Sequence, residues 1–220
     1  MSQTDESIFR EVDEDVRAEE YKKIWNRYGK YISGLAIAAV VAVAGFQGWK
    51  YYQAKQAEEA SVIYTDAVKK IPDGKVEDVM AAFAAVKHEG FTQLSQLRLA
   101  QVMADKGDVE KAVAAFDAFA ADTKADPSLA DLARIRAGYL LVDTSTPDQL
   151  LLRLGKFDKD GEVWRNEARE IFGLSAWRIK DYTMAQNYMD AIYKDDKAPA
   201  AMRQRAQIMI QLIAPYLPAK

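Results

Sequence analysis

Apolar and polar residues sort along this chain into three successive textures. Between residues 1 and 30, Ile8, Phe9, Val12, Val16, Ile24 and Tyr28 recur near helical spacing among many charges. This predicts a short amphipathic helix, but few apolar groups are available to offset the entropy of ordering it, so partial disorder stays open there. From Tyr31 to Trp49 the chain is uncharged and apolar around its whole circumference, bracketed by Lys30 and Lys50. Beyond Lys50 it turns to alanine-rich amphipathic segments. The periodicity predicts helices over 50–70, 75–89, 92–106, 109–123, 127–143, 147–156, 162–180, 182–195 and 198–214. No stretch sustains the alternation of a strand, so the fold class is all-α.

The uncharged run reads as a transmembrane helix over 31–49. At ~1.5 Å per residue it covers roughly 28 Å, about the thickness of a hydrocarbon core. Tyr28 and Tyr31 at one end, and Trp49, Tyr51 and Tyr52 at the other, form the aromatic belts expected at headgroup level. A cleaved signal peptide would begin with a short basic region, whereas the leader here holds Asp5, Glu6, Glu11, Asp13, Glu14, Asp15, Glu19 and Glu20. Arg17, Lys22, Lys23, Arg27 and Lys30 precede the run, against Lys50 and Lys55 after it. The positive flank stays inside, which predicts a single pass with a cytoplasmic segment 1–30 and a periplasmic remainder. Gly34, Ala38 and Ala42 recur every four residues, with Ala44 and Gly48 offset, a spacing that lets a second membrane helix approach closely. An alanine-rich helix can also show that spacing by chance.

The segments after the anchor are clearly punctuated. A membrane-exit helix and linker, 50–74, ends at the breakers Ile71-Pro72-Asp73-Gly74, and the helical domain occupies 75–220. Asp126 before Pro127, and Thr146 before Pro147, are N-cap and first-turn pairs. Leu99–Phe119 aligns with Phe172–Ile192 at a shift of 73 residues, pairing Ala100 with Gly173, Ala112 with Ala185, and Phe116 with Met189. That shift is roughly two units of 36 or 37 residues, with Ala137 placing a degenerate middle unit. Helical hairpins of this kind leave one apolar face each and must stack, with the last helix as cap.

Composition removes most chemistry. The chain has no cysteine and one histidine, so disulfides, thiolate catalysis, iron–sulfur ligation and multi-histidine metal sites are excluded. The histidine, His88 in VKHEGF, reads as a surface residue at a helix end or turn. A net charge of only −3 argues against a non-specific nucleic-acid binder, because phosphate contacts need a concentrated basic surface, and no nucleic-acid partner is expected. Asp158-Lys159-Asp160-Gly161-Glu162 has its glycine too early for a calcium loop and reads as an inter-helix turn. Glu58-Glu59 and the pair Glu167 and Glu170 read as solvated helix faces. No enzyme activity and no cofactor is expected.

In the hairpin register, Gln101, Arg134, Trp177 and Arg178 fall on the face of the first helix of each pair, toward a concave groove, and are candidate partner contacts. For Trp177, packing between hairpins is the alternative. Trp164 reads as a core residue at the start of its helix.

Leu99–Phe119, with Ala100, Ala112 and Phe116 at small-small-large positions, resembles a tetratricopeptide repeat, although Met103 stands where tyrosine is common and the terminal proline is displaced to Pro127. The acidic leader, the single apolar helix, the exit sequence GWKYYQAKQAEEAS and the late segment GEVWRNEAREIFG together resemble the YfgM family of bacterial inner-membrane proteins. DTSTPDQLLLRL in the middle hairpin departs from that pattern. The resemblance implies a non-enzymatic accessory of the SecYEG translocon that acts with the PpiD chaperone on secretory proteins emerging into the periplasm. A structural or regulatory tether, linking a cytoplasmic regulator to a cell-envelope complex, is the other reading.

Overall fold

The computed structural model describes residues 3–72 and 74–218, with side chains described for 22–23, 25–72, 74–75 and 77–218. The apolar positions Ile8, Phe9, Val12, Val16 and Ile24, the leader's acids and Asp73 therefore lie outside the described residues or side chains. Two compact units are present, Met1–Glu58 and Glu59–Lys220. The described residues contain helices and turns, with no strand.

The first unit is built from α1, Gln3–Lys69, which also contributes its last turns to the second unit. No proline interrupts α1 before Pro72, and Lys69 supplies a cation to its last turn, where the helix dipole favours one. Its apolar run is bare: Leu35, Ile37, Val40, Val41, Val43 and Phe46 are all exposed. Nothing lies within 4 Å of a side chain placed at Gly34 or Gly48, and Ala38, Ala42 and Ala44 are exposed as well. Such an exposed apolar stretch is stable in hydrocarbon and a liability in water.

The second unit stacks helical hairpins. Ala67 and Tyr64 of α1 pack on Val79 and Phe83 of α2, Val76–Ala84, and on Val102 of α3, Glu89–Asp105. The periodicity extended α2 to residue 89; it stops at Ala84, and His88, in an extended backbone, is the N-cap of α3. α4, Val109–Ala121, closes the first hairpin over Leu97, Ala100, Phe116 and Phe119. α5, Pro127–Leu141, begins at Asp126, whose carboxylate accepts from the backbone N–H groups of Ser128 and Leu129. α6, Pro147–Leu154, begins with a reciprocal capping box between Thr146 and Gln149, and it passes into a 3-10 turn at Gly155–Phe157.

The predicted helix over 162–180 is trimmed to α7, Arg165–Arg178. The preceding turn is occupied by ion pairs, with Arg165 on Asp160 and Arg169 on Asp158. α8, Tyr182–Tyr193, and α9, Ala200–Ile213, complete the stack, followed by a 3-10 turn at Ala214–Tyr216.

The 73-residue repeat is visible in the packing. Ala100, Ala112, Phe116, Ala185 and Met189 are all at most 1% exposed, so the small-small-large pattern is the hairpin contact itself. A side chain at Gly173 would meet the Met189 methyl at 2.6 Å, which is why the third hairpin takes glycine where the first has alanine.

Candidate protein-binding groove

The first helix of each hairpin and the final helix, α3, α5, α7 and α9, lie side by side and are bridged by polar side chains. Arg136 on α5 donates to the Gln101 side chain on α3 at 3.0 Å. The Tyr139 hydroxyl on α5 donates to Glu170 on α7 at 2.6 Å. From α9, Arg205 donates to the same carboxylate through Nε at 2.8 Å and Nη2 at 3.1 Å. Successive bonds span one repeat each, so the ladder ties neighbouring units edge to edge.

Between α5, α7 and α9 lies an open groove of about 480 Å³ lined by Tyr139, Glu170, Leu174, Arg205, Ile208 and Met209. Its floor holds a carboxylate only 7% exposed, flanked by Ile171 and Phe172, which are buried in the neighbouring core. An unpaired carboxylate there would be costly, but Arg205 neutralises it and Tyr139 takes up a further lone pair. Burial, followed by the bond to Glu170, pushes the Tyr139 phenol well above its ordinary range. The bond to Glu170 likewise raises the Arg205 guanidinium. The paired Glu170 and Arg205, with Tyr139 beside them, offer an electrically balanced wall with apolar contacts from Leu174, Ile208 and Met209. Methionine suits a surface that must accept varied shapes.

A larger hollow of about 750 Å³ is lined, among the described residues, by Lys69, Lys70, Gly74, Asp78, Ala81 and Ala82. Among the described residues, no cluster of His, Asp or Glu is arranged to hold a metal.

The four residues placed toward the groove from sequence go to different places. Gln101 joins the ladder through Arg136. Arg134 turns to Asp131 and donates to the Ala120 carbonyl at 2.6 Å, binding α5 to the end of α4. Trp177 packs edge-on against Tyr182 and Tyr216, with ring centroids 5.3 and 5.7 Å away, in the α8–α9 core. Arg178 donates to the carbonyls of Val142 and Ser145, holding α7 to the α5–α6 connection. Trp164 lies half-buried at the N-cap of α7 against the core of Ile135, Leu150 and Phe172, and His88 sits at the N-cap of α3 with its ring edge toward Phe91.

Sequence reasoning did not pick out Tyr139, Arg205, Ile208 or Met209, and it read Glu170 as solvated. One signal was present: the 73-residue register sets Glu170 against Leu97, a carboxylate where the other hairpin buries a hydrocarbon.

Residues 22–211 match the family model described as a tetratricopeptide repeat-like domain. The ancillary SecYEG translocon subunit of Escherichia coli (strain K12) is 30% identical over 189 residues, which covers 85% of this chain and 90% of that protein. No solved structure matches the chain.

Proposed function

The chain belongs to the tetratricopeptide repeat-like domain family, and on that premise we propose that it is a non-enzymatic, inner-membrane ancillary subunit of the Sec translocon. In this reading α1 anchors the protein laterally to the translocon, through the face of Gly34, Ala38, Ala42, Ala44 and Gly48. The repeat unit lies in the periplasm and binds protein, namely a PpiD-like membrane chaperone and secretory chains as they emerge. The observation that carries the proposal is the alignment with the translocon subunit, which runs through most of both chains. The bare apolar run of α1 supports the anchor, and the open groove beside Glu170 supports protein binding. The excess of Lys and Arg before Tyr31 supports a cytoplasmic N-terminus.

The test is photo-crosslinking in intact cells, with probes at Gly34, Ala44, Tyr139 and Ile208 and mass spectrometry of the adducts. Translocon peptides are expected from the first two positions, and chaperone or secretory-protein peptides from the last two. Adducts confined to cytoplasmic regulators or unrelated envelope proteins would replace this reading with a tether.

A further inference from the structure

Within the first unit, no Asp or Glu occurs between Glu20 and Glu58, yet Lys22, Lys23, Arg27 and Lys30 crowd against the start of the uncharged run. All four are exposed. At helical periodicity Lys23, Arg27 and Lys30 stand at i, i+4 and i+7, so they share one face. Their stripe extends about 10 Å along the axis. Like charges at this spacing repel, and Arg27 and Lys30 have no acidic residue within a helical turn to relieve them. An external anion would.

The surrounding rings suit a headgroup layer. The Arg27 guanidinium carbon lies 5.6 Å from the Tyr28 ring centroid, and the Lys30 ammonium 5.0 Å from that of Tyr31. On the other side of the helix, Trp25 folds down on Gly29, with ring atoms 3.2–3.3 Å from where a side chain would begin. Gly29 is thereby buried in an otherwise exposed stretch. The helix at this level has a cationic face and an aromatic face. The opposite end of the run differs, since Lys50 and Lys55 are soon followed by Glu58 and Glu59.

We propose that Lys23, Arg27 and Lys30 form a binding site for the phosphate groups of anionic phospholipids. This rests on the reading of α1 as a membrane span. The convex side of a single helix cannot enclose a free phosphate, whereas a bilayer presents several phosphates along the stripe at once. Three cations at the surface favour an anionic over a zwitterionic lipid neighbour by on the order of tenfold at low salt, and screening removes most of that.

The experiment uses full-length protein reconstituted in phosphatidylcholine vesicles with or without phosphatidylglycerol. Flotation establishes that the chain enters the bilayer, and native mass spectrometry then counts the lipids it retains. The wild type is expected to retain phosphatidylglycerol over phosphatidylcholine by roughly tenfold, falling severalfold in high salt. K23Q/R27Q/K30Q loses the preference, while the charge-conserving R27K/K30R and the distal K50Q/K55Q keep it. A chain that never floats overturns the span reading and this site with it. Floating with equal retention of both lipids, or an unchanged preference in the triple variant, overturns this site alone. Loss of the preference to inorganic phosphate at constant ionic strength would reassign the stripe to free phosphate and overturn the lipid site.

Discussion

The hairpins α3–α4 and α7–α8 share their backbone devices and place different chemistry on them. Gln93 and Asn166, equivalent in the 73-residue register, each reach to the loop that follows their hairpin. Gln93 meets the Lys124 carbonyl and the Asp126 N–H, and Asn166 meets the Asp195 carboxylate. Asp122 and Asp195, again equivalent, each accept from the N–H two residues on. The left-handed turn between helices uses Gly107 at φ 92° in one and Lys180 at φ 67° in the other. What differs is the groove side, where Leu97 stands against Glu170. Stacking positions tolerate only a narrow range of volumes, while the side facing the neighbouring repeat is free to acquire function.

The sharpest break is in the shared core. Phe116→Ala should cost about 4 kcal/mol and Met189→Ala about 3, since both side chains are fully buried and leave cavities. Urea unfolding of the full-length protein in detergent checks both. Exchanging the groove residues comes next. Leu97→Glu buries a carboxylate without a designated partner and should cost about 3 kcal/mol, whereas Glu170→Leu should cost about 1. In the latter, half-exposed Arg205 can rehydrate while the Tyr139 hydroxyl loses its acceptor. Equal costs in the same titration would show that the Glu170 ladder contributes as much stability as Leu97's apolar site.

A third contrast concerns the loop aspartates. The Asn166 amide, then the Arg165 guanidinium, lower the Asp195 carboxyl from 3.8 to about 2. A depressed folded-state pKa contributes stability fully above 3.8 and loses it as pH falls through about 2. Discounted for solvent screening, Asp195→Asn should cost about 1–2 kcal/mol at neutral pH and progressively less across that acid window. Asp122→Asn should cost less than about 0.5 kcal/mol at neutral pH, as an exposed substitution. Denaturant midpoints measured from pH 7 down to acid would separate the two. At the turn, Lys180→Gly should stabilise by about 0.5–1 kcal/mol and Gly107→Ala should destabilise by about 1, both read as shifts in midpoint.

The hairpin stack could be read from sequence because its determinants are local or periodic. Proline at the first turn of α5 and α6, capping residues before them, and the small-small-large spacing each act within one helix or one repeat. The groove could not. Tyr139, Glu170 and Arg205 come from three units at dissimilar register positions, and only packing brings them together. Trp177 illustrates the converse, because the register points it outward, yet the chain returns after α9 to lay Tyr216 against it. The bare apolar run of α1 was legible for the opposite reason, since composition alone makes it unfit for water.

Two of the four tryptophans, Trp164 and Trp177, sit at opposite ends of α7 and report on different cores. Trp164 senses the side shared with α5 and α6, and Trp177 the side closed by α8, α9 and the final turn. With Trp25 and Trp49 replaced by phenylalanine, the protein would carry a two-channel optical gauge of its own cooperativity. Coincident emission changes on denaturation would mean that the stack melts as one body. Separate ones would mean that it frays inward from the end nearest Tyr216, as nearest-neighbour repeat arrays do.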